Sequence, residues 1–519
     1  MSEQLLLAVD AGTSVIKAVA FDTAGNQVAS KSRRNTYKTL ANGGAEQDMR
    51  RTWEDCAAVL RALADDVPDL ASRVICLGVT GQGDGTWLID GDGEPVHDGW
   101  LWLDGRAGEE AQNVLESEGL RTVYRGTATG VNVCQMRIQL HWMLAHAPEL
   151  LARSATAFHC KDWLYFRLTG MRTTDPSEGI FNFGDFRTRQ YSEDVITALG
   201  LGDLRHLIPP MTDGVVTAHP LSAQAARETG LPQGLPVSLG YVDVMCTAIA
   251  AGLYDAAVRP GFSILGSTGM HMRFVSEATD VVLNEAASGY TMPFPGQAYA
   301  QMQTNMAATV NLDWLLGVGI ELLQAEGLSK TLPDLLNGLD EKVLSARPGA
   351  ALFHPYILPA GERGPFTDPQ ARASFTNLDQ NTGWFDLVRG VFDGLMLASR
   401  DCYTAMGPIP SEIRVGGGGA RSDAIRALLA SALDRPVRRV DQDEAGAAGA
   451  AMIAAVQCGL FSSIGAASDA WVTPLLRDPV FPDHQLVATY DTLFDAYLAT
   501  RRALPPVWQN QTIMRGALQ

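Results

Sequence analysis

Residues 5–22 read LLLAVDAGTSVIKAVAFD, and this stretch decides the architecture. Residues 5–9 are apolar throughout, as in a strand buried on both faces. Asp10-Ala11-Gly12-Thr13-Ser14 then turns the chain, and residues 16–22 resume a strand. Ala24-Gly25-Asn26 supplies a second turn, and residues 27–31 a third strand. Working outward, a helix carries Trp53, Cys56, Leu60 and Leu63 at helical spacing, and a strand over residues 74–79 follows it. Strands joined first by hairpins and then by helices predict a mixed α/β layer.

The same order returns later in the chain. A strand is predicted over 238–241, a helix over 244–251, and a strand over 261–265 that ends in Gly266-Ser267-Thr268-Gly269. Residues 271–275 continue as a strand. The two strand–turn–strand units look like related halves of one design, which places a domain boundary near residue 253, between domains at 1–253 and 254–519. Further on, Gly416-Gly417-Gly418-Gly419 follows an apolar strand and leads into a helix over 422–433. Residues 441–444 fall at the start of an Ala-rich helix, and Pro505-Pro506 marks the end of the last long helix.

Composition narrows the function. The chain has 519 residues, 46% hydrophobic and 19% charged, an ordinary globular balance. A formal net charge of −18 argues against nucleic acid or an anionic membrane as partner, since both need local positive potential. The seven cysteines are scattered without a C-x-x-C pair, which fits free thiols in a reducing compartment. The N-terminus lacks the basic region of a signal peptide, and the apolar run at 445–461 falls short of a span of about 20 residues. The expectation is a cytoplasmic protein.

A triphosphate can be held in few ways. The P-loop pattern is absent, because no Gly-Lys pair occurs, and no proper G-x-G-x-x-G follows a strand. What remains is two turns of small, hydroxylated residues, Gly12-Thr13-Ser14 and Gly266-Ser267-Thr268-Gly269. Such turns let backbone N–H groups approach phosphate oxygens, and the hydroxyls add donors. Asp10 could hold Mg²⁺ through its waters and Lys17 could meet phosphate charge.

Residues 7–14 with Lys17 resemble the first phosphate motif of the FGGY carbohydrate kinases. Further segments follow in that family's order: Gly81-Gln82 to Asp90, Leu101-Trp102-Leu103-Asp104-Gly105-Arg106, Lys161-Asp162-Trp163-Leu164, Thr174-Asp175-Pro176-Ser177 and Gly240-Tyr241-Val242-Asp243. Gly418-Gly419-Ala420-Arg421-Ser422 and the E-A-G-A-A-G-A-A run from Glu444 complete the set, so the likeness spans nearly the whole chain. It implies two actin-like, ribonuclease H-like ATPase domains around a cleft, with ATP and Mg²⁺ on one side and a polyol on the other. Asp243 would be the catalytic base, and Gln82, Gly83, Asp84 and Trp102 would join it in binding substrate. ATP would meet Gly12, Thr13, Ser14, Lys17, Gly266, Ser267, Thr268, Gly418, Gly419 and Asp423, with Asp10 on the metal. Asp243 sits just ahead of a helix whose N-terminal field is expected to keep it ionised; an ordinary N-cap aspartate is the alternative role.

Gln82-Gly83-Asp84-Gly85 stands where xylulose kinases typically carry Met-His, and glycerol kinases Arg-Glu, at the middle positions. The surrounding text, with His159-Cys160-Lys161-Asp162-Trp163 and Gln303-Thr304-Asn305-Met306, is similar to the erythritol kinases within the family. That resemblance implies transfer of the γ-phosphate of ATP to a terminal hydroxyl of erythritol, giving erythritol 4-phosphate. A pentulose or glycerol kinase is the nearest alternative, and a non-catalytic actin-like nucleotide-binding module the more distant one. The expected partners are ATP and the polyol, with a homodimer allowed.

Overall fold

The computed structural model describes residues 4–518. The apolar run at the start becomes strand β1 (Leu5–Ala11), buried along its length and antiparallel to β2 (Val15–Asp22). β3 (Gln27–Arg34) is a polar, exposed edge strand on the far side of β2. β4 (Val74–Gly81) lies parallel to β1 on its other side. Beyond it come β5 (Ala218–Pro220) and β6 (Pro236–Leu239), so the first sheet runs β5-β6-β4-β1-β2-β3.

The second sheet repeats the plan. β7 (Gly261–Leu265) and β8 (Gly269–Val275) form the antiparallel hairpin, with β9 (Tyr290–Pro293) and β10 (Tyr299–Asn305) antiparallel beyond it. β11 (Ile413–Gly416) and β12 (Val437–Arg439) extend β7 in parallel, giving the order β9-β10-β8-β7-β11-β12. In each sheet an antiparallel portion, of three strands in the first (β1-β2-β3) and four in the second (β9-β10-β8-β7), meets parallel strands reached through helices, so the mixed α/β architecture read from the sequence is present twice.

The helices that position the cleft are α1 (Met49–Asp66), α2 (Cys160–Thr169), α3 (Pro176–Phe183), α4 (Asp243–Ala250), α5 (Val310–Ala325), α6 (Trp384–Met406), α7 (Asp423–Leu433), α8 (Ala445–Gln457) and α9 (His484–Ala503). α1 and α2 cover the outer face of the first sheet, with Trp53, Leu60, Trp163 and Leu164 in that core. α6, α7 and α9 cover the second sheet in the same way.

Between the sheets lie α4 and α8, packed on each other and, for α8, directly on β1 and β4. The small residues of α8 make this approach possible. A side chain at Gly449 would collide with the Cys246 carbonyl, and one at Gly78 with the Ala450 carbonyl. The Ala/Gly run is thus a buried helix that lies backbone to backbone against its neighbours. Among the described residues no helix is long and apolar enough to cross a membrane.

Several predicted boundaries shift, two of them for clear physical reasons. The strand expected over 238–241 ends at Leu239, because Gly240-Tyr241-Val242 forms a turn, and the helix begins at Asp243 rather than 244. The long helix α9 does stop at Ala503, yet another helix, Pro505–Leu518, starts at once. Proline lacks an N–H that a first helical turn would leave unused, so Pro505-Pro506 opens a helix as readily as it ends one.

Candidate active site

Asp10 lies near the end of β1, directly across from Lys17 of β2. The turn between them is closed by the Gly12 N–H donating to the Val15 carbonyl at 3.0 Å. Lys17 Nζ donates to Glu444 Oε2 at 2.7 Å, so the last part of the chain comes back to the first turn. At Gly446 any side chain would strike the Asp10 carboxyl, which explains a glycine at that point of α8. Burial pushes the Asp10 carboxyl up to about 6, against the pull of Lys17 and with a further push from Glu444.

The end of β4 carries Gly81-Gln82-Gly83-Asp84-Gly85. Asp84 and Gly85 are both left-handed, with φ of 52° and 78°. Asp tolerates that conformation better than most residues, and it turns the carboxyl into a cavity of about 260 Å³ between the lobes. Asp84 Oδ2 accepts from Tyr290 Oη at 3.2 Å and from Cys134 Sγ at 3.4 Å. Its Oδ1 is buried with no hydrogen-bond partner among the described residues. Burial raises the pKa of Asp84, opposed by the Cys134 thiol, His159, Arg363 and Tyr290.

Trp102 forms one wall of this cavity, and Met270, Met292 and Met302 form another. The segment that carries Trp102 is locked by Asp104, which accepts from the Ala45 N–H at 2.8 Å and from Arg106 at 2.6 Å. The Trp102 indole N–H donates to Thr13 Oγ1 at 2.8 Å, and Thr13 Oγ1 donates to Gln82 Oε1 at 2.9 Å. Gln82 Nε2 is engaged by Gln47 at 2.7 Å. Gln82 therefore stands behind Thr13 rather than on the cavity wall, and the Trp102 indole N–H is directed at the first turn, not into the cavity.

Asp243 is the first residue of α4, lining the same cavity. It does not cap the helix: Val242 holds the N-cap position, and Asp243 Oδ1 accepts the N–H of its neighbour Val244 at 2.7 Å. The turn ahead of it is fixed by Thr80 Oγ1 donating to the Tyr241 carbonyl at 2.7 Å and by Ser177 Oγ accepting the Val242 N–H at 3.2 Å. The expectation of a firmly ionised carboxylate fails. Burial pushes Asp243 up to about 7, Asp10 and Asp84 push the same way, and the Val244 N–H and Lys161 oppose them. Desolvation outweighs the helix end here.

The opposite side of the cleft is built from exposed turns. Ser267 and Thr268 project from the β7–β8 turn, and Thr268 also reaches the rim of the cavity. Thr309 holds this turn by donating its N–H and Oγ1 to the Gly266 carbonyl at 3.0 and 2.9 Å. Gly417, at φ 84°, and Gly419 press against the Leu265 carbonyl, so the glycine run passes over the end of β7, leaving Gly418 in open space. Asp423 lies exposed in the first turn of α7, with its carboxylate paired to Arg426 and its N–H donating to Asp340 at 2.7 Å.

Four polar residues of the cavity were not among the expected site residues: Glu178, Tyr290, Arg363, and Thr304, which lay in a quoted segment without a role. Glu178 directly follows the Thr174-Asp175-Pro176-Ser177 motif, which was the available signal. Tyr290 and Arg363 arrive from the second lobe and carry no local signature. Arg363 is held by Glu362, whose Oε1 accepts the N–H groups of Met306 at 2.9 Å and of Arg363 itself at 2.8 Å.

Residues 5–250 match the model of the FGGY family of carbohydrate kinases, N-terminal domain, and residues 261–458 that of the C-terminal domain. The chain is 48% identical to an erythritol kinase from Brucella abortus (strain 2308), over 97% of each chain. It is 26% identical to a xylulose kinase from Lactococcus lactis, over 95% of each. The crystal structure of a ligand-bound xylulose kinase from Lactobacillus acidophilus shares the fold with a TM-score of 0.88 at 20% identity, covering 98% of this chain and 99% of that one. The two lobes, the paired sheets and the cleft between them are therefore those of a known enzyme class, and the chain belongs to the FGGY family of carbohydrate kinases.

Proposed function

We propose that the protein transfers the γ-phosphate of ATP to a terminal hydroxyl of erythritol, giving erythritol 4-phosphate, with the lobes dividing near residue 253. The observation that carries this reading is Asp243, a carboxyl pushed up to about 7 in the cavity that also holds the free oxygen of Asp84. The choice of erythritol is supported by the likeness to the Brucella protein.

Asp243 accepts the proton of the attacking hydroxyl as that oxygen bonds to the γ-phosphorus and the bond to the leaving ADP oxygen breaks. A base with its pKa near the working pH suits this step. Phosphoryl transfer through a loose transition state asks chiefly for alignment and charge neutralisation. Asp84 fixes the carbon chain through its hydroxyls, while Trp102 and the three methionines give it an apolar wall. The turns at Gly12-Thr13-Ser14 and Gly266-Ser267-Thr268 offer phosphate donors from opposite lobes, and Gly418 and Gly419 lie on the adenosine side. Lys17 brings positive charge to the first turn, balanced by Glu444.

Among the described residues no cluster of three or more His, Cys, Asp or Glu side chains could hold a metal ion. Magnesium ordinarily keeps several waters and binds through one or two carboxylates plus phosphates. Asp10, drawn up to about 6 by burial and by the nearby negative charge of Glu444, fits that mode. Mg²⁺ there would neutralise phosphate charge.

ADP release measured across erythritol, glycerol, D-xylulose and L-ribulose tests the proposal. The expected result is the highest kcat/KM for erythritol; a clear preference for a pentulose would remove the erythritol assignment.

A further inference from the structure

We infer that Glu178 is a specificity-determining contact of the polyol, holding the hydroxyl at the end of the carbon chain opposite the one that attacks. This rests on the polyol site proposed above.

Glu178 lies in α3, is 0% exposed, and lines the cavity. Neither Oε1 nor Oε2 has a hydrogen-bond partner among the described residues, although Oε2 stands at ion-pair distance from His159. A buried acceptor left without a donor is destabilising, and such atoms are uncommon in folded proteins. A polyol hydroxyl is the donor this cavity would supply. Gly83 makes room: a Cβ there would sit 2.8 Å from Glu178 Oε1 and would collide with Val242.

A chain of charged groups lies behind the carboxyl. Glu178 Oε2 lies 3.2 Å from His159 Nε2, and His159 Nδ1 lies 3.1 Å from Asp162 Oδ2. Lys161 Nζ then joins Asp162 and Asp175, each at 2.7 Å. Thr174 Oγ1 adds a bond to Asp162 at 2.8 Å. The two motifs from residues 161 and 174 thus form a buried rank of alternating charge, and its last member meets the cavity. His159 acts through Glu178 and is a positioning residue. Burial pushes Glu178 up to about 8, while the charges of His159 and Lys161 pull it back toward the ionised form that accepts a polyol hydroxyl.

Thr13 and Thr268, from the two turns of small hydroxylated residues, line the cavity together with Asp243 and Asp84, and Glu178 lies behind Gly83. With the phosphates on those turns and Asp84 on the middle of the carbon chain, the remaining terminal hydroxyl is the one assigned to Glu178. Across the cavity Arg363, from the second lobe, has its Nε buried without a partner among the described residues. Asp243, Asp84, Glu178 and Arg363 offer more polar groups than glycerol has hydroxyls to meet, and a four-carbon tetraol supplies the additional one.

Steady-state kinetics of the full chain, as wild type and as Glu178→Gln, with erythritol and glycerol test this. Glu178→Gln is expected to raise KM for erythritol about tenfold or more while KM for glycerol and for ATP stay within about twofold. An unchanged KM for erythritol, or equal rises for both polyols, overturns the inference, since a purely structural role would move both together. Glu178→Asp is read the same way if the glutamine variant does not fold. In the wild type, 1,2,3-butanetriol, which lacks the distal hydroxyl, is expected to bind about tenfold or more weakly than erythritol; equal affinity overturns the inference without any variant. If the wild type prefers another polyol, the erythritol assignment falls, and the same comparison on that polyol still decides the role of Glu178.

Discussion

At the polyol end of the cleft several hydrogen bonds join the lobes, whereas at the nucleotide end the Lys17–Glu444 pair joins them beside second-lobe turns that stand exposed. Tyr290 donates to Asp84 at 3.2 Å, the Gly130 N–H to the Gly289 carbonyl at 2.8 Å, and Tyr299 Oη to the Phe186 carbonyl at 2.6 Å. The Thr291 N–H reaches Thr129 Oγ1 at 3.0 Å. Ser267, Thr268, Gly417, Gly418 and Asp423, by contrast, are all exposed. A pocket whose groups are locked before the ligand arrives discriminates between ligands by shape and by unmatched polar atoms. A pair of open turns recognises phosphate, which every nucleotide shares. In the proposed function, this difference would put substrate choice at one end and the common phosphate chemistry at the other.

The comparison breaks most visibly if the ends are not independent. Asp243→Asn is expected to lower kcat by about 10²–10⁴-fold with unchanged ATP affinity by calorimetry; loss of ATP binding would show that the ends act as one. Next in size is the pH dependence. Asp243 must be deprotonated to accept a proton, and its carboxyl lies at about 7, so kcat/KM for the polyol should rise with pH below that value and level off above it. The slope is about tenfold per pH unit on the acid side. A flat profile between pH 5 and 7 would take the base role from Asp243.

Smaller effects sharpen the boundary between the two ends. Tyr290→Phe removes a donor from Asp84 and should raise KM for the polyol by roughly three- to tenfold while leaving KM for ATP unchanged. Lys17→Met should change unfolding free energy in urea by less than about 1 kcal/mol, because the Lys17 side chain is 35% exposed and its pair with Glu444 is screened by solvent. Its main effect should then appear in KM for ATP.

The parts of this arrangement that were legible in sequence are those encoded locally. β1, β2 and β4 are apolar runs bounded by turn residues, and Gly449 of α8 and Gly12 of the first turn sit where a neighbouring backbone carbonyl comes close. Gln82 was placed on the substrate because its neighbours are; that its amide is taken up by Thr13 and Gln47 depends on residues 69 and 35 positions away. Asp243 was expected to be ionised because a helix start can be read from sequence and the degree of burial cannot. Tyr290 and Arg363 reach the cavity only through the packing of one lobe on the other, which no local pattern records.

The placement of α8 has a consequence for how the protein is made. This helix fills the inner face of the first sheet, yet it is encoded roughly two hundred residues after β6, the last strand of that sheet in the chain. At about 5–20 residues per second, a ribosome needs about 10–40 s to bridge that interval. During that time β1 and β4 present an uncovered apolar surface outside the exit tunnel, and Asp10 lacks the Gly446 backbone that walls it in. The first lobe of the nascent chain therefore waits for α8 of the second before its inner face, and with it the active site, is complete.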